Sequence, residues 1–327
     1  MGKMKIFYRG IDSDFAEAFK KSELYKLYEE HKDELFIGVR NNYLNLYYNS
    51  DSIAKVTYTG KEIKCEIDRY YLEGKHYSSE DKGKKEKVEP IEIYNQYEVI
   101  KKNSDKKKSD EKKAQSKLVL LNNQNTDSNW FCVDIEYIRQ YNNQEEKKLA
   151  GFNARFDIIA LSKEKPHRVA LIELKYGKKA LGGESGIYKH VSDFYKFQEK
   201  GVFDSHLKHE ILEIVKSRID LGVSCFTEGP KTNELLAPEF YFITLDNNAE
   251  SIRGTTPKQS MAGYLFNKKG RWGSKRLSTK RVEPDFGDVT KKSNKFHATF
   301  LFSNSTNVNL SIKDIIDGEY DEKIYPQ

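Results

Sequence analysis

The sequence predicts a mixed protein of the α+β or α/β class in two parts. Residues 1–89 are expected to form a small α+β domain with an antiparallel meander, and residues 90–327 a larger domain with a mixed sheet flanked by helices. Three observations predict this. A stretch with helical apolar spacing precedes four strand-like runs joined by short polar turns. Two β-branched, apolar runs at 154–177 read as a hairpin. A glycine-containing loop then feeds an amphipathic helix, after which strand-like runs return.

In chain order, residues 14–34 read as one helix, because Phe15, Phe19, Leu24, Leu27 and Tyr28 fall near one stripe and Ser13 or Asp14 is placed to cap it. Strand-like runs follow at 35–40, 43–48, 52–59 and 62–70, with turns at Asn41-Asn42, Asn49-Ser50-Asp51 and Gly60-Lys61. Tyr43, Asn45 and Tyr47 share one face of the second run, either as a stacking platform for bases or as ordinary cross-strand packing. Residues 74–89 are charged and mixed, and read as a linker or mobile hairpin tip at the domain boundary. Helical character returns at 90–100. The lysine-rich run 101–117 is either an arm for phosphates or a solvated helix face, and 118–121 complete a helix packed on the core.

Residues 130–141 alternate as a strand, and 144–148 make the turn into the hairpin. The hairpin loop is Ser162-Lys163-Glu164-Lys165-Pro166-His167. Folded symmetrically about Lys165, it sets Asp157 opposite Glu173, with Cβ atoms roughly 5 Å apart. Lys175 shares that face, about 7 Å further along the strand. Phe156, Ile158, Ala160, Ala170, Ile172 and Leu174 surround the charges with apolar groups, as in a strand covered on both sides. Two acids opposed in such a setting repel, and burial raises the cost. A divalent cation removes the conflict. Glu136, or Asp134, is the candidate third acid from the preceding strand.

An acid on one strand, then Glu-x-Lys with an apolar middle residue on the next, resembles the PD-(D/E)XK nuclease superfamily, the restriction-endonuclease-like fold. Asp157 matches the first acid and Glu173-Leu174-Lys175 the E-x-K; the proline before the first acid is replaced by Phe156. The resemblance covers roughly residues 91–302. It implies a metal-dependent phosphodiesterase acting on nucleic acid, DNA ahead of RNA. Asp157, Glu173 and the Leu174 carbonyl would hold Mg²⁺ or Mn²⁺, and Lys175 would hold the attacking water or stabilise negative charge. Glu136 joins them as a candidate catalytic acid. Helices after the E-x-K strand often border the active site in this superfamily, which makes Lys189 and His190 candidates for substrate contact. Lys178 in the glycine-rich loop adds a basic side chain near a helix start. Arg271 and Trp272, in a basic segment, suit a phosphate-and-base clamp.

Composition limits the alternatives. The chain is 37% hydrophobic with 21 Tyr and 18 Phe, which argues against global disorder, and its net charge of +6 permits a polyanionic partner. Cys65, Cys132 and Cys225 are too scattered for a disulfide framework or a thiolate zinc site. His206 and His209 lack a nearby third ligand, and Asp314, Asp317 and Asp321 lack calcium-loop spacing. Met1-Gly2 begins like a myristoylation site, but Ile6 stands where Ser or Thr is needed. No signal peptide or membrane span is expected, so a cytoplasmic protein is the default and a homodimer is left open. Strands are expected at 239–245, beside the hairpin, and at 296–302. The competing readings are an inert buried Asp/Glu/Lys cluster, a binding module that kept the fold without turnover, and an interaction protein of a defence or repair complex.

Overall fold

The computed structural model describes residues 9–74, 85–107, 109–141, 143–152, 154–177, 187–246, 281–282, 298–302, 311–316 and 322–323. The chain divides into two compact units. The first comprises Met1–Gln124 and His209–Thr232, the second Asn125–Lys208 and Asn233–Gln327.

In the first unit the expected single helix is two, α1 (Ser13–Lys20) and α2 (Glu23–Glu30). Ser22 is extended between them, and its hydroxyl accepts the Tyr25 N–H, so the side chain restarts the helix as an N-cap. Asp12, not Ser13 or Asp14, caps α1 by accepting the Phe15 N–H at 2.8 Å. Of the predicted stripe Phe15, Phe19, Leu24 and Leu27 are buried, and Tyr28 is half-buried.

The meander follows as β1 (Leu35–Val39), β2 (Leu44–Tyr48), β3 (Asp51–Tyr58) and β4 (Ile63–Asp68), each antiparallel to the next. Asn42, Asn49, Ser50 and Gly60 supply the left-handed turn residues. A fifth strand, β5 (Lys85–Val88), pairs with β4 inside what composition reads as a linker. Tyr47 is buried and its hydroxyl accepts from Arg40 at 2.8 Å and Asn45 at 3.0 Å, which is cross-strand packing and not an open platform.

Helices α3 (Arg69–Glu73), α4 (Pro90–Asn95), α5 (Tyr97–Asp105) and α6 (Asp110–Gln124) stay with this sheet. A capping box between Glu89 and Glu92, with Pro90 at the first position, starts α4. The lysine run is largely held inside the unit: Lys101 pairs with Glu34, Lys107 donates to the Tyr71 hydroxyl at 2.6 Å, and Lys112 reaches Asp51 at 2.8 Å. Helix α9 (Lys208–Asp220) also packs here. Its buried Arg218 donates to the Ile37 carbonyl at 2.6 Å and stacks on the Phe36 ring. Residues 90–124 and 209–232 thus lie with the meander, whereas the sequence places its boundary at residue 89.

The cysteines give a direct check on this packing. Cys65 on β4 is buried, and burial pushes its thiol up to about 12. Cys132 is wholly buried and Cys225 is exposed. Titration of the native protein with a disulfide reagent at pH 8 is expected to modify Cys225 alone, with the other two reacting only in denaturant. Rapid native labelling of Cys65 would contradict the packing of β4.

Among the described residues, the second unit is built on a seven-stranded mixed sheet. β6 (Trp130–Ile138), β7 (Arg155–Ser162) and β8 (His167–Tyr176) form an antiparallel meander, β9 (Leu235–Leu245) runs parallel to β8, and β11 (Ala298–Phe302) parallel to β9. The short strands β10 (Arg281–Val282) and β12 (Glu322–Lys323) both pair with β11. The segment expected as a turn at 144–148 is helix α7 (Gln144–Ala150). Asn143 caps it, its acids lie in the first turn and lysines in the last, and Gly151 ends it at φ 68°. Helix α8 (Ile187–Glu199) sets Phe194 and Phe197 against Phe156, Phe240 and Phe242. A single π turn, Phe203–Leu207, leads into α9. A short helix, α10 (Ile312–Ile316), precedes β12. Among the described residues no helix is long and apolar enough to cross a membrane.

Candidate active site

From Ile158 to Leu161 the hairpin takes the register its symmetry predicts, and the expected Asp157–Glu173 pair lies just outside the ladder. The β7–β8 ladder pairs Leu161 with Val169 through to Ile158 with Ile172. One step beyond the ladder, the Asp157 carboxylate accepts the backbone N–H of Leu174 at 2.7 Å. This contact fixes Asp157 to the residue lying between Glu173 and Lys175.

On its other edge β8 pairs in parallel with β9, setting Glu173 beside Phe242 and Lys175 beside Thr244. Alternation puts Glu173 and Lys175 on one face. Both are buried, at 1% and 5% exposure, so neither charge is balanced by solvent. Lys175 Nζ lies 2.5 Å from Glu173 Oε1 and donates to the Leu174 carbonyl at 3.0 Å. Phe194 of α8 packs on Phe242 with ring centroids 4.9 Å apart. One helical turn earlier, His190 reaches the same face, and its Nε2 lies 3.2 Å from Glu173 Oε1. The apolar stripe of α8 thereby sets the position of its polar residue.

Glu136 lies level with Asp157, because Ile135 pairs with Ile158 and Tyr137 with Phe156 on either side of them. It is half-buried and holds φ 52°, an uncommon conformation for a non-glycine residue inside a strand. Asp134, the other candidate, is fully buried further down the strand beside Ile159. Lys189 pairs with Asp193 one turn along α8, at 2.9 Å. Asp193 is 5% exposed while the lysine is half-buried, so the pair joins a buried acid to the surface. Nearby, burial pushes the Tyr141 phenol up, Arg139 opposes this, and Glu146 and Asp193 add to it; the hydroxyl donates to the Phe152 carbonyl at 3.0 Å. Lys178, Arg271 and Trp272 lie outside the described residues.

Among the described residues there is no group of three or more His, Cys, Asp and Glu side chains arranged to hold a metal. A magnesium site needs only one or two carboxylates, with water or phosphate oxygens completing the shell. The fit can be judged from what Glu173 and Leu174 already do. Glu173 Oε1 and the Leu174 carbonyl converge on a cation, the Lys175 ammonium. Their oxygen-donor chemistry suits a hard divalent ion.

Sequence reasoning missed Thr244. Its side chain is fully buried beside Lys175, and its hydroxyl makes no hydrogen bond among the described residues. The only available signal was its place in the apolar run 239–245.

Fold and site define a mixed α+β protein carrying a buried carboxylate–lysine pair at the open end of a hairpin. Comparisons of the chain with protein-family models, curated proteins and solved structures find no match.

Proposed function

We propose that the chain is a metal-dependent nuclease whose second unit is a restriction-endonuclease-like domain of the PD-(D/E)XK kind. One observation carries this reading. A single hairpin sets an acid of one strand, Asp157 on β7, against positions 173–175 of the next, which carry a buried acid and a buried lysine, through the Asp157–Leu174 contact and the Glu173–Lys175 pair. Buried charges are a poor route to stability, so such a cluster is better explained by chemistry than by folding. The mixed sheet, with an antiparallel meander extended by a parallel strand and covered by α8, supports the same assignment.

Asp157, Glu173 and the Leu174 carbonyl would hold Mg²⁺ or Mn²⁺. When bound, the ion polarises the scissile phosphate and lowers the pKa of a coordinated water. The remaining work falls to the chain. Glu173 is oriented by His190 and Lys175, which both meet its Oε1. Lys175 presents its ammonium where negative charge gathers on the phosphate. Helix α8 shields the Glu173 side of the site from water through Phe194, which strengthens each electrostatic contact. Nucleic acid, DNA ahead of RNA, is the substrate class, in keeping with the net charge of +6.

A second reading draws on the same contacts. Because Lys175 already neutralises Glu173, the cluster also suits a binding protein that keeps the fold without turnover. The test incubates the full chain with single- and double-stranded DNA and with RNA, in Mg²⁺, Mn²⁺ or EDTA, beside Asp157→Ala and Lys175→Ala. Cleavage that requires metal and disappears in both variants is the expected result. Binding without cleavage under every condition supports the second reading instead.

A further inference from the structure

We propose that Lys175 has two stations, and that a divalent ion and the ammonium exchange places during metal loading. This rests on the nuclease reading and extends it to how the site is kept ready. In the first station, seen here, Nζ sits on Glu173 Oε1 and the Leu174 carbonyl, two of the groups assigned to the metal. One position cannot hold an ammonium and a divalent cation together, since like charges at such a distance repel strongly in a buried site. Metal entry therefore requires the ammonium to leave for another acceptor, because a buried ammonium without a hydrogen-bond partner is costly.

The second station is Thr244. It is the register partner of Lys175 on β9, so strand spacing sets the two backbones roughly 5 Å apart with their side chains on the same face. Its hydroxyl oxygen is buried and accepts no hydrogen bond among the described residues. A buried polar group left in that state costs stability and calls for an explanation. An acceptor held for the displaced ammonium supplies one. Moved to that hydroxyl, Lys175 would leave Glu173 Oε1 and the Leu174 carbonyl open to the ion. The ammonium thus serves as a resident counter-ion that keeps Glu173 and Leu174 aimed at one point before the metal arrives.

The test measures Mn²⁺ binding to the full chain by the paramagnetic resonance of free Mn²⁺, without nucleic acid, so that it does not depend on turnover. Thr244→Val keeps the side-chain shape and removes the hydroxyl. It is expected to melt at or above the wild-type temperature without metal, yet to bind Mn²⁺ about tenfold more weakly, the loss expected when a charge-assisted hydrogen bond is withdrawn. Lys175→Met removes the competitor and is expected to bind Mn²⁺ at least about tenfold more tightly. In the Lys175→Met background, Thr244→Val is expected to have no further effect, because the hydroxyl has lost the group it serves. Wild-type affinity in Thr244→Val overturns the exchange, whether or not Lys175→Met folds. Unchanged or weaker binding in Lys175→Met also overturns it, while metal-dependent cleavage by the wild type leaves the nuclease reading standing. Absence of Mn²⁺ binding in the wild type and both single variants, together with absence of cleavage, overturns both.

Discussion

Glu173→Gln is expected to abolish metal-dependent cleavage and to lower the stability of the second unit by about 3–5 kcal/mol, the usual cost of stripping one partner from a buried ion pair. Glu173 is 1% exposed and its oxygen touches both Lys175 and His190, so the neutral amide leaves an ammonium buried without its counter-charge. The loss of cleavage should be at least about a hundredfold, since even residues that merely support metal ligands cost 10–100-fold when removed. The double variant Glu173→Gln, Lys175→Met separates the two effects. Replacing a whole buried pair with neutral groups of similar size is often neutral or better for stability. The double variant is therefore expected to recover most of the lost stability and none of the activity. Urea unfolding followed by tryptophan fluorescence reads this out, because Trp130 is buried within the second unit. Cleavage retained by Glu173→Gln would place the chemistry elsewhere. A double variant as unstable as the single ones would mean that charge compensation is not what holds the cluster together.

The part of this site that was legible in the sequence is the part set by short-range geometry. The hairpin closes over one short loop, so its register follows from symmetry, and the alternation of β8 puts Glu173 and Lys175 on one side. Features that depend on distant chain were not legible. The contact of Lys175 with Thr244's strand spans a crossover containing α8, and nothing local announces a parallel register. His190 carries little signal as a lone histidine; its meaning comes from standing four residues before Phe194, once that ring is known to pack on Phe242. Glu136 could not be aligned with Asp157 because the β6–β7 ladder shifts register between Cys132 and Asp134. The grouping of α9 with the first unit rests on Arg218 and Ile37, which are 181 residues apart, and no composition shift marks it. The two helices at 13–30 and the helix α7 are different. Ser22 and Asn143 are ordinary capping residues, and reading them as such would have found both boundaries.

Phe194→Ala is expected to cost about 3–5 kcal/mol in the second unit, the range for emptying a buried aromatic position. The ring is 1% exposed and lies between strands from opposite ends of the sheet's centre, 4.9 Å from Phe156 on β7, 4.9 Å from Phe242 on β9 and 5.6 Å from Phe240. These contacts attach α8 to the face that carries Glu173. Truncation should therefore do more than leave a cavity. With its anchor gone, the helix no longer fixes His190 at 3.2 Å from Glu173, and the carboxylate loses an orienting partner. Phe194→Leu, which keeps most of the apolar volume, should cost markedly less and leave His190 in reach. The expected pattern is a graded fall in melting temperature, roughly 10 °C for alanine and a few degrees for leucine in a unit of this size. Metal affinity should fall with alanine and stay near the wild-type value with leucine. Equal metal affinity in both variants, despite unequal melting temperatures, would show that α8 stabilises the unit without positioning Glu173, and that His190 is only a neighbour of the site.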